Sequence, residues 1–172
     1  MEFIVDCMLG KSAKWLKILG FDVLFFNKIE DKDLLEIAKK ESRILLSRDT
    51  ELIERAYPVK SLFIESDDWC GQVEQVLDEL SLWEHVKPLS RCIECNDKLN
   101  DLPKKRAKNL VVPFVYEQVD SFSICPGCGR VFWKGTHHKD MELKIKEILR
   151  GKRGKRGKMK SFQKSPASPD VD

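Results

Sequence analysis

The sequence has no long apolar run. None of its hydrophobic stretches approaches the ~20 residues that a membrane-spanning helix needs, so we expect no membrane partner. The first residues, Met-Glu-Phe-Ile-Val-Asp, carry acidic side chains within a short apolar stretch, which is not the pattern of a secretory signal peptide. We therefore expect a cytoplasmic protein with reduced thiols, in which the six cysteines favour metal binding over disulfides.

The chain also has little net charge, +3 in total, but the charge is unevenly distributed. Residues 1–88 hold 12 Lys/Arg against 18 Asp/Glu, residues 89–149 hold 11 against 8, and residues 150–172 hold 8 against 2. The acidic N-terminal part of the chain is suited to binding cations, and the basic C-terminal part is suited to binding phosphate.

The length of 172 residues allows one domain or two small ones. In residues 1–88, strand-like runs at 3–6, 23–26, 43–47 and 61–65 alternate with helical patterns at 12–19, 31–41, 50–56 and 71–80. This alternation predicts an α/β domain, a parallel sheet with helices on both faces. Ligands of such sheets bind beyond the carboxyl ends of the strands.

The pattern changes after residue 88, where short apolar runs are interrupted by Cys, Pro, Gly and Asn. We expect a second small domain at 89–141 and a short helix at 142–149. Lysine and glycine then alternate with almost no apolar residues, so we predict a disordered basic tail at 151–172 that binds RNA by charge.

Two CxxC pairs, Cys92 with Cys95 and Cys125 with Cys128, are separated by 29 residues. Each pair can place two thiolates on one ion, and two pairs complete a tetrahedron, so we predict a structural Zn²⁺ in a zinc ribbon. Glycines at 127 and 129 allow a tight turn, and the run LVVPFVYEQV (110–119) is interpreted as a ribbon strand. The inserted loop carries KKRAKN (104–109), a basic patch suited to an RNA backbone.

Four cysteines saturate zinc, so His137 and His138 are not needed as ligands. His137 is either a packing residue or an RNA contact beside Trp133 and Lys134. The two remaining cysteines, Cys7 and Cys70, are interpreted as ordinary buried residues.

Acidic residues follow the predicted strands. Asp6 ends the first strand, Asp49 follows the third, and Asp67 and Asp68 follow the fourth, while Asp31 and Asp33 open the second predicted helix. In a parallel sheet these carboxylates meet at one edge, where a cation has to offset their repulsion. Mg²⁺ or Mn²⁺ prefers oxygen ligands, and such ions hold a phosphodiester and activate water.

Each acid also has a simpler interpretation. Asp31 and Asp33 can stabilise a helix N-terminus, Asp49 can cap the helix at 50–56, and Asp67 and Asp68 can be turn residues. Asp6 is harder to explain in this way, because it ends a strand predicted to be buried. Composition alone leaves a nuclease, a phosphatase and a structural ion site open.

The stretches FIVDCMLGKSAKWLKILGFDVLFF (3–26), DKDLLEIAKKESRILLSRD (31–49), RCIECNDKL (91–99) and CPGCGRVFWKGTHHKDM (125–141) together resemble the Mut7-C family. The resemblance implies a PIN-like RNase domain followed by a zinc ribbon. It assigns catalytic acids to Asp6, Asp31 and Asp49, with Asp67 as the best candidate for a fourth and Asp33 as the next. Lys14 stands where the family commonly has arginine, which keeps the charge but not bidentate phosphate contact.

Two functional hypotheses follow. The first is a metal-dependent endoribonuclease in which Asp6, Asp31 and Asp49 hold Mg²⁺ or Mn²⁺. Its candidate RNA contacts are Lys11, Lys14, Arg48, Lys104, Lys105, Arg106, Lys134 and His137. The second is a non-catalytic RNA-binding module, with ribosomal RNA or the ribosome among its partners, and a DNA-binding ribbon is a distant third. Basic side chains such as Lys11, Lys14 or Arg48 placed among the carboxylates would favour the second hypothesis. The sequence does not fix the RNA or the oligomeric state.

Overall fold

The computed structural model describes residues 1–154, apart from the side chains of residues 136–139 and 151–154. The rest of the predicted basic tail, residues 155–172, lies outside the described residues.

The first part of the chain forms a four-stranded parallel sheet. Its strands are β1 (Glu2–Val5), β2 (Asp22–Phe25), β3 (Ile44–Ser47) and β4 (Ser61–Phe63), in the order β2-β1-β3-β4. Every neighbouring pair is parallel, which confirms the predicted α/β sheet. The chain moves from β1 to one side for β2 and to the other side for β3, so the sheet changes direction between β1 and β3. Such a switch point leaves a crevice at the carboxyl ends of the two strands.

Helices cover both faces of the sheet. They are α1 (Gly10–Ile18), α2 (Asp31–Lys40), α3 (Thr50–Arg55) and α4 (Trp69–Glu79), and a 3₁₀ turn (Cys7–Leu9) leads from β1 into α1. On β1, Phe3 and Val5 pack with α1 and α4, whereas Ile4 packs with α2 and α3. Successive strand residues point to opposite faces, and both faces are covered, so the strands are apolar except at their ends.

A three-stranded antiparallel sheet follows, made of β5 (Asn100–Leu102), β6 (Phe122–Ile124) and β7 (Val131–Trp133) in chain order. Two short helices, α5 (Lys104–Ala107) and α6 (Pro113–Gln118), lie between β5 and β6. The predicted strand at 110–119 is therefore wrong. Pro113 occupies the first turn of α6, where proline is favoured, and Val111, Val115 and Val119 recur every four residues to pack against the small core.

The last helix, α7 (Thr136–Gly154), is longer at both ends than the predicted helix at 142–149. Its Ile145 and Ile148 are buried in the same cluster as Val73 and Leu77 of α4, so the chain returns to the first sheet after the small one. None of the helices in the described part of the chain has both the length and the apolar character needed to span a membrane.

Candidate functional site

The four predicted zinc ligands come together. The Sγ atoms of Cys92, Cys95, Cys125 and Cys128 lie within 4.8 Å of one another, with 3.6 Å between Cys92 and Cys128 and 3.2 Å between Cys95 and Cys125. Zn–S bonds of ~2.3 Å in a tetrahedron place sulfurs ~3.8 Å apart, so the cluster has the dimensions of a Cys₄ zinc site. All four thiols are free, which leaves them available to an ion.

The two CxxC turns, here called the first knuckle (92–97) and the second knuckle (125–130), share one backbone design. In each, the N–H of the first cysteine donates to the carbonyl five residues on, and the carbonyl of that cysteine accepts from the N–H four residues on. The fourth residue after the first cysteine has a positive φ in both turns, +70° at Asn96 and +71° at Gly129. Asparagine tolerates this left-handed conformation better than most residues, so it can replace glycine in the first knuckle.

Because the four thiols lie close together, each affects the pKa of its neighbours, and their pKa values differ widely. Burial alone would raise the pKa of Cys125, but backbone hydrogen bonds from Cys128 and Gly127 and interactions with neighbouring thiols lower it to about 7. A backbone hydrogen bond from Asp97 favours the thiolate of Cys95, yet the adjoining thiols raise its pKa to about 12. Four thiolates cannot coexist at this spacing without a cation, and a Zn²⁺ ion held by these four cysteines would supply the required charge.

Buried ion pairs attach the first knuckle to the first sheet. The carboxylate of Asp22, at the start of β2, contacts Arg43 at 2.7 Å, Arg91 at 3.0 Å and the amide nitrogen of Asn96 at 3.0 Å. Burial by itself would raise the pKa of Asp22, but the hydrogen bond from Arg43 and the charges of Arg91 and Arg43 outweigh it and lower the pKa. Nearby, the buried Lys17 of α1 donates to the backbone carbonyl of Glu94 at 3.4 Å. The zinc ribbon is therefore docked on the first sheet through charged groups.

We expect Asp22→Asn to lower the free energy of unfolding by about 2–3 kcal/mol at pH 7, because the largely buried Arg91 would lose its ion-pair partner. Arg43 would keep Glu41 at 2.7 Å but lose the 2.7 Å contact with Asp22. The pKa of Asp22 is lower in the folded state than in the unfolded state. Its contribution to the free energy of unfolding is therefore fully present above the unfolded pKa of ~3.9 and is lost as the pH falls through the lower folded value. Urea denaturation of the zinc-loaded chains at pH 5.5 and 7 should give the same difference from wild type. Asp97→Asn, an exposed change in the same knuckle, is the control, and an equal effect of both variants would contradict the role of Asp22.

The second candidate site, here called the acidic edge, lies where β1 and β3 end and consists of Asp6, Ser47 and Asp49. The Ser47 hydroxyl donates to Oδ2 of Asp6 at 2.7 Å and accepts from the backbone N–H of Asp49 at 2.9 Å. Asp49 also caps α3, because its Oδ1 accepts from the N–H of Leu52 at 3.1 Å. The capping interpretation of Asp49 is thus correct, and one of its oxygens is committed to the helix.

Asp6 is only 8% exposed, yet it takes part in no ion pair within the described residues. Its neighbours are neutral: the Ser47 hydroxyl and the Cys7 thiol. The hydrogen bond to Asp6 raises the pKa of Cys7, which keeps that thiol protonated and able to donate. A buried carboxylate without a counter-charge is costly, and a bound cation would remove the cost.

The two other predicted acids are held by arginines. Asp31 contacts Arg55 at 2.6 Å, and Asp67, whose side chain is 93% exposed, pairs with Arg48. Among the side chains that the structure describes, the four-cysteine cluster is the one group of three or more Cys, His, Asp or Glu that gathers its ligand atoms around one point. The structure brings Asp6 and Asp49 together through Ser47 but does not gather all four acids.

The predicted RNA contacts differ in their surroundings. Lys11 lies over the ring of Trp69 at 4.9 Å, Arg48 is paired with Asp67, and Lys14 is exposed on α1. None of these three occupies the space between Asp6 and Asp49 as an ion-pair partner. Lys134 is exposed, and the side chain of His137 lies outside the described residues.

The basic residues of the insert between β5 and β6 also differ in their surroundings. Lys104 is held by Asp120 at 2.8 Å and lies over the ring of Tyr116 at 5.5 Å. Lys105 and Arg106 are exposed and have no ion-pair partner among the described residues. These two are therefore better placed than Lys104 to contact a phosphate backbone.

Sequence reasoning missed Ser47 and Asp22. Ser47 could have been suspected, because a polar residue ends an otherwise apolar strand directly before Arg48 and Asp49. Nothing local marks Asp22, whose partners are distant in sequence. The prediction that Cys7 is buried was wrong: it is exposed, because the chain leaves β1 after Asp6 and turns at the sheet edge. Cys70 is half-buried.

A protein-family model described as Mut7-C RNAse domain matches residues 1–145. The match spans both sheets, all four clustered cysteines and every predicted acid. Comparison with curated proteins gave no match, and comparison with solved structures gave none.

Proposed function

The chain belongs to the Mut7-C RNAse domain family, and on this basis we propose that it is a metal-dependent endoribonuclease that hydrolyses RNA phosphodiesters at the acidic edge. A nuclease-type function on RNA follows from the family. The catalytic residues, the divalent ion and the mode of RNA docking are parts of the proposal.

One observation carries the choice of site: Asp6 is nine-tenths buried at the sheet's switch point without a described counter-charge. A structural acid in this position would be expected to have a cationic partner, as Asp22 does. An acid that binds a catalytic ion needs a carboxylate that no cationic side chain already neutralises.

The surrounding residues fit such an ion. Asp6 and Asp49 supply hard oxygen ligands, which Mg²⁺ and Mn²⁺ prefer, and Asp31 and Asp67 would join after release from Arg55 and Arg48. When bound, the ion neutralises the phosphate, activates water and stabilises the leaving oxygen. Ser47 orients Asp6, while the cap of α3 fixes the position of Asp49. Arg48, once separated from Asp67, is close enough to this edge to contact a phosphate oxygen.

RNA docking is assigned to the zinc ribbon and the basic tail, since residues 1–88 are acidic and repel RNA. In the ribbon, the insert between β5 and β6 carries Lys105 and Arg106. It also carries Phe114, 73% exposed, which offers a face on which a base can stack. Cations beside an exposed aromatic are typical of surfaces that bind single strands without sequence preference. Ribosomal RNA remains one candidate substrate, and the reduced thiols are consistent with the cytoplasmic location that we propose.

We expect the double variant Lys105→Ala/Arg106→Ala to bind single-stranded RNA more weakly. The slope of log K against log salt should fall by ~0.7 for each phosphate that the variant no longer neutralises, or ~1.4 for two. Fluorescence anisotropy with a labelled oligonucleotide over a salt series gives this slope. The control is Lys60→Ala, an exposed lysine at the start of β4, and unchanged slopes in both proteins would remove the insert from the RNA interface.

Incubation of the purified, zinc-loaded chain with single-stranded RNA tests the overall proposal. We expect cleavage when Mn²⁺ or Mg²⁺ is added and none when the divalent ion is omitted, with zinc content measured in both samples. Omission is preferable to a strong chelator, which would also remove zinc from the cysteines. RNA that stays intact at every divalent concentration would contradict the nuclease assignment.

The arginine pairs of Asp31 and Asp67 favour a second candidate, a non-catalytic RNA-binding or ribosome-associated module. In that case the arginines neutralise Asp31 and Asp67 permanently, and these two acids never join the acidic edge. Arg55→Ala separates the two candidates, because releasing Asp31 should strengthen divalent binding only if the edge is a metal site.

A further inference from the structure

A surface depression of about 300 Å³ lies between α1 and the first knuckle. Gly10 and Lys14 of α1 and Phe25 of β2 line one side, and Ile93 and Glu94 of the knuckle line the other. The RNase sheet and the zinc ribbon therefore form this depression together. Its volume is at the lower end of the range for small-molecule sites.

One lining residue, Phe25, lies close to the acidic edge in the sheet. Strands β1 and β2 pair Val5 with Phe25, and both strands end at these residues. Asp6, the next residue of the chain, thus leaves the sheet alongside Phe25. Adjacent strands lie about 4.8 Å apart, so the backbones of Asp6 and Phe25 are separated by about the span of one nucleotide.

The ring of Phe25 packs against the first turn of α1. A Cβ at Gly10 would lie 2.9 Å from Cζ of Phe25, so only glycine lets the ring come this close to the helix backbone. The ring is half-buried and lines the depression. Aromatic faces beside a cationic rim are surfaces on which nucleobases stack.

Two charged groups fit the remainder of a nucleotide. Lys14 is exposed and has no ion-pair partner in the described part of the chain, so it can contact a phosphate. On the opposite wall, Glu94 accepts a hydrogen bond from Arg130 at 2.7 Å and retains further acceptor capacity. A carboxylate in this position can accept a hydrogen bond from the exocyclic amino group of a base, such as N4 of cytosine.

We propose that this depression binds the nucleoside next to the cleaved phosphodiester and prefers a base with an exocyclic amino group over uracil. The inference rests on the proposed nuclease function, because it treats Asp6 as the site of cleavage. It gives the zinc ribbon a part in substrate selection: the first knuckle forms one wall and supplies the base-reading group. An apolar peptide side chain would fill the same floor but would leave Lys14 without a counter-charge and the further acceptor capacity of Glu94 unused.

The first test is an NMR titration of the zinc-loaded wild-type chain with CMP and, separately, UMP, neither of which contains an internucleotide bond to cleave. We expect shifts at the Phe25 ring and at the amides of Ile93 and Glu94, with CMP binding several-fold more tightly than UMP. Equal affinities would remove the base preference. The absence of shifts at these three residues with both nucleotides would overturn the proposal.

The second test separates binding from chemistry with variants. Phe25→Leu keeps an apolar side chain against Gly10 but removes the flat ring, so KM for oligocytidylate should rise about tenfold with little change in kcat. Glu94→Gln should reduce the ratio of cytidine to uridine cleavage. Lys39→Met, an exposed change on α2 that does not line the depression, is the control.

The outcomes distinguish this inference from the function on which it rests. If RNA is cleaved but Phe25→Leu retains the wild-type KM, the depression is not a nucleotide site and the nuclease assignment stands. If CMP shifts the three residues but no RNA is cleaved with any divalent ion, the depression binds nucleotides and the nuclease assignment falls.

Discussion

Asp6→Asn is expected to reduce RNA cleavage at least a hundredfold while the chain stays folded and retains its zinc. The substitution keeps the shape of the side chain and the hydrogen bond from Ser47 but removes the one nearly buried charge of the acidic edge. A catalytic ion contributes several kcal/mol of transition-state stabilisation, and each 1.36 kcal/mol changes the rate tenfold. The measurement is the rate of cleavage of a labelled oligonucleotide at saturating Mn²⁺.

Because Asp6 is buried without a counter-charge, the same substitution should leave the thermal stability equal or higher in the absence of divalent ions. A purely structural carboxylate would give the opposite sign. The matched control is Glu36→Gln, which removes an exposed carboxylate from α2, and it should cleave RNA like wild type. Full activity in Asp6→Asn would place the chemistry elsewhere.

The other acids should follow a graded order. Asp49→Asn should also lose most activity but keep the cap of α3, since asparagine caps helices as well as aspartate does. Asp31→Asn should have a smaller effect, because its carboxylate is shared with Arg55. Asp67→Asn should have the smallest, since the side chain is almost fully exposed. If Asp67→Asn is as damaging as Asp6→Asn, the acidic edge has to close over its ion in a way that draws Asp67 inward.

Removal of zinc is expected to unfold the ribbon. The small sheet has a core of only three buried residues, Leu102, Ala107 and Phe122, besides the buried cysteines. Such a core cannot offset the entropy of ordering the strands, whereas structural zinc contributes about 10–16 kcal/mol of apparent binding free energy. Cys125→Ser should therefore release the ion and abolish amide protection in β5, β6 and β7. Elemental analysis should find one zinc per wild-type chain.

A cysteine outside the cluster provides the control for the predicted effect of Cys125→Ser. Cys70→Ser changes a half-buried thiol outside the cluster and should retain zinc and a protected ribbon. Amide protection of β1 and β3 should persist in Cys125→Ser, because their core is supplied by the helices on both faces of the first sheet. Unchanged protection of β6 after zinc removal would show that the ribbon is held by other interactions.

Local patterns were sufficient for the first sheet. Its strands are short apolar runs separated by amphipathic helices, and right-handed crossovers leave few ways to assemble them. The match between predicted and observed strands, for example 43–47 against Ile44–Ser47, reflects that constraint. The part from β5 to β7 was harder to predict because its elements are only three to six residues long. There, α6 shows how a valine-rich run becomes a helix when its apolar spacing is four.

The zinc ligands were predictable for a similar reason. A CxxC turn is a local device whose geometry depends on about six residues, and two of them leave one tetrahedral arrangement. The acidic edge was predictable only as a set of candidates. Strand ends placed Asp6 and Asp49 at one edge, but the arginine partners of Asp31 and Asp67 come from other elements of the chain.

The sequence by itself determined the parallel sheet, the family, the four-cysteine site and the position of Asp6 at the end of β1. Each of these depends on residue types and spacing within short segments, taken singly for the strands and in chain order for the family and the cysteine pairs. Only the tertiary structure decided which carboxylates have counter-ions, how Asp22 attaches the first knuckle to the sheet, and that Phe25 and Glu94 line the same depression. Those relations join residues that are about 20 to 70 positions apart, and burial and charge pairing over such separations are set by packing, which no local pattern encodes.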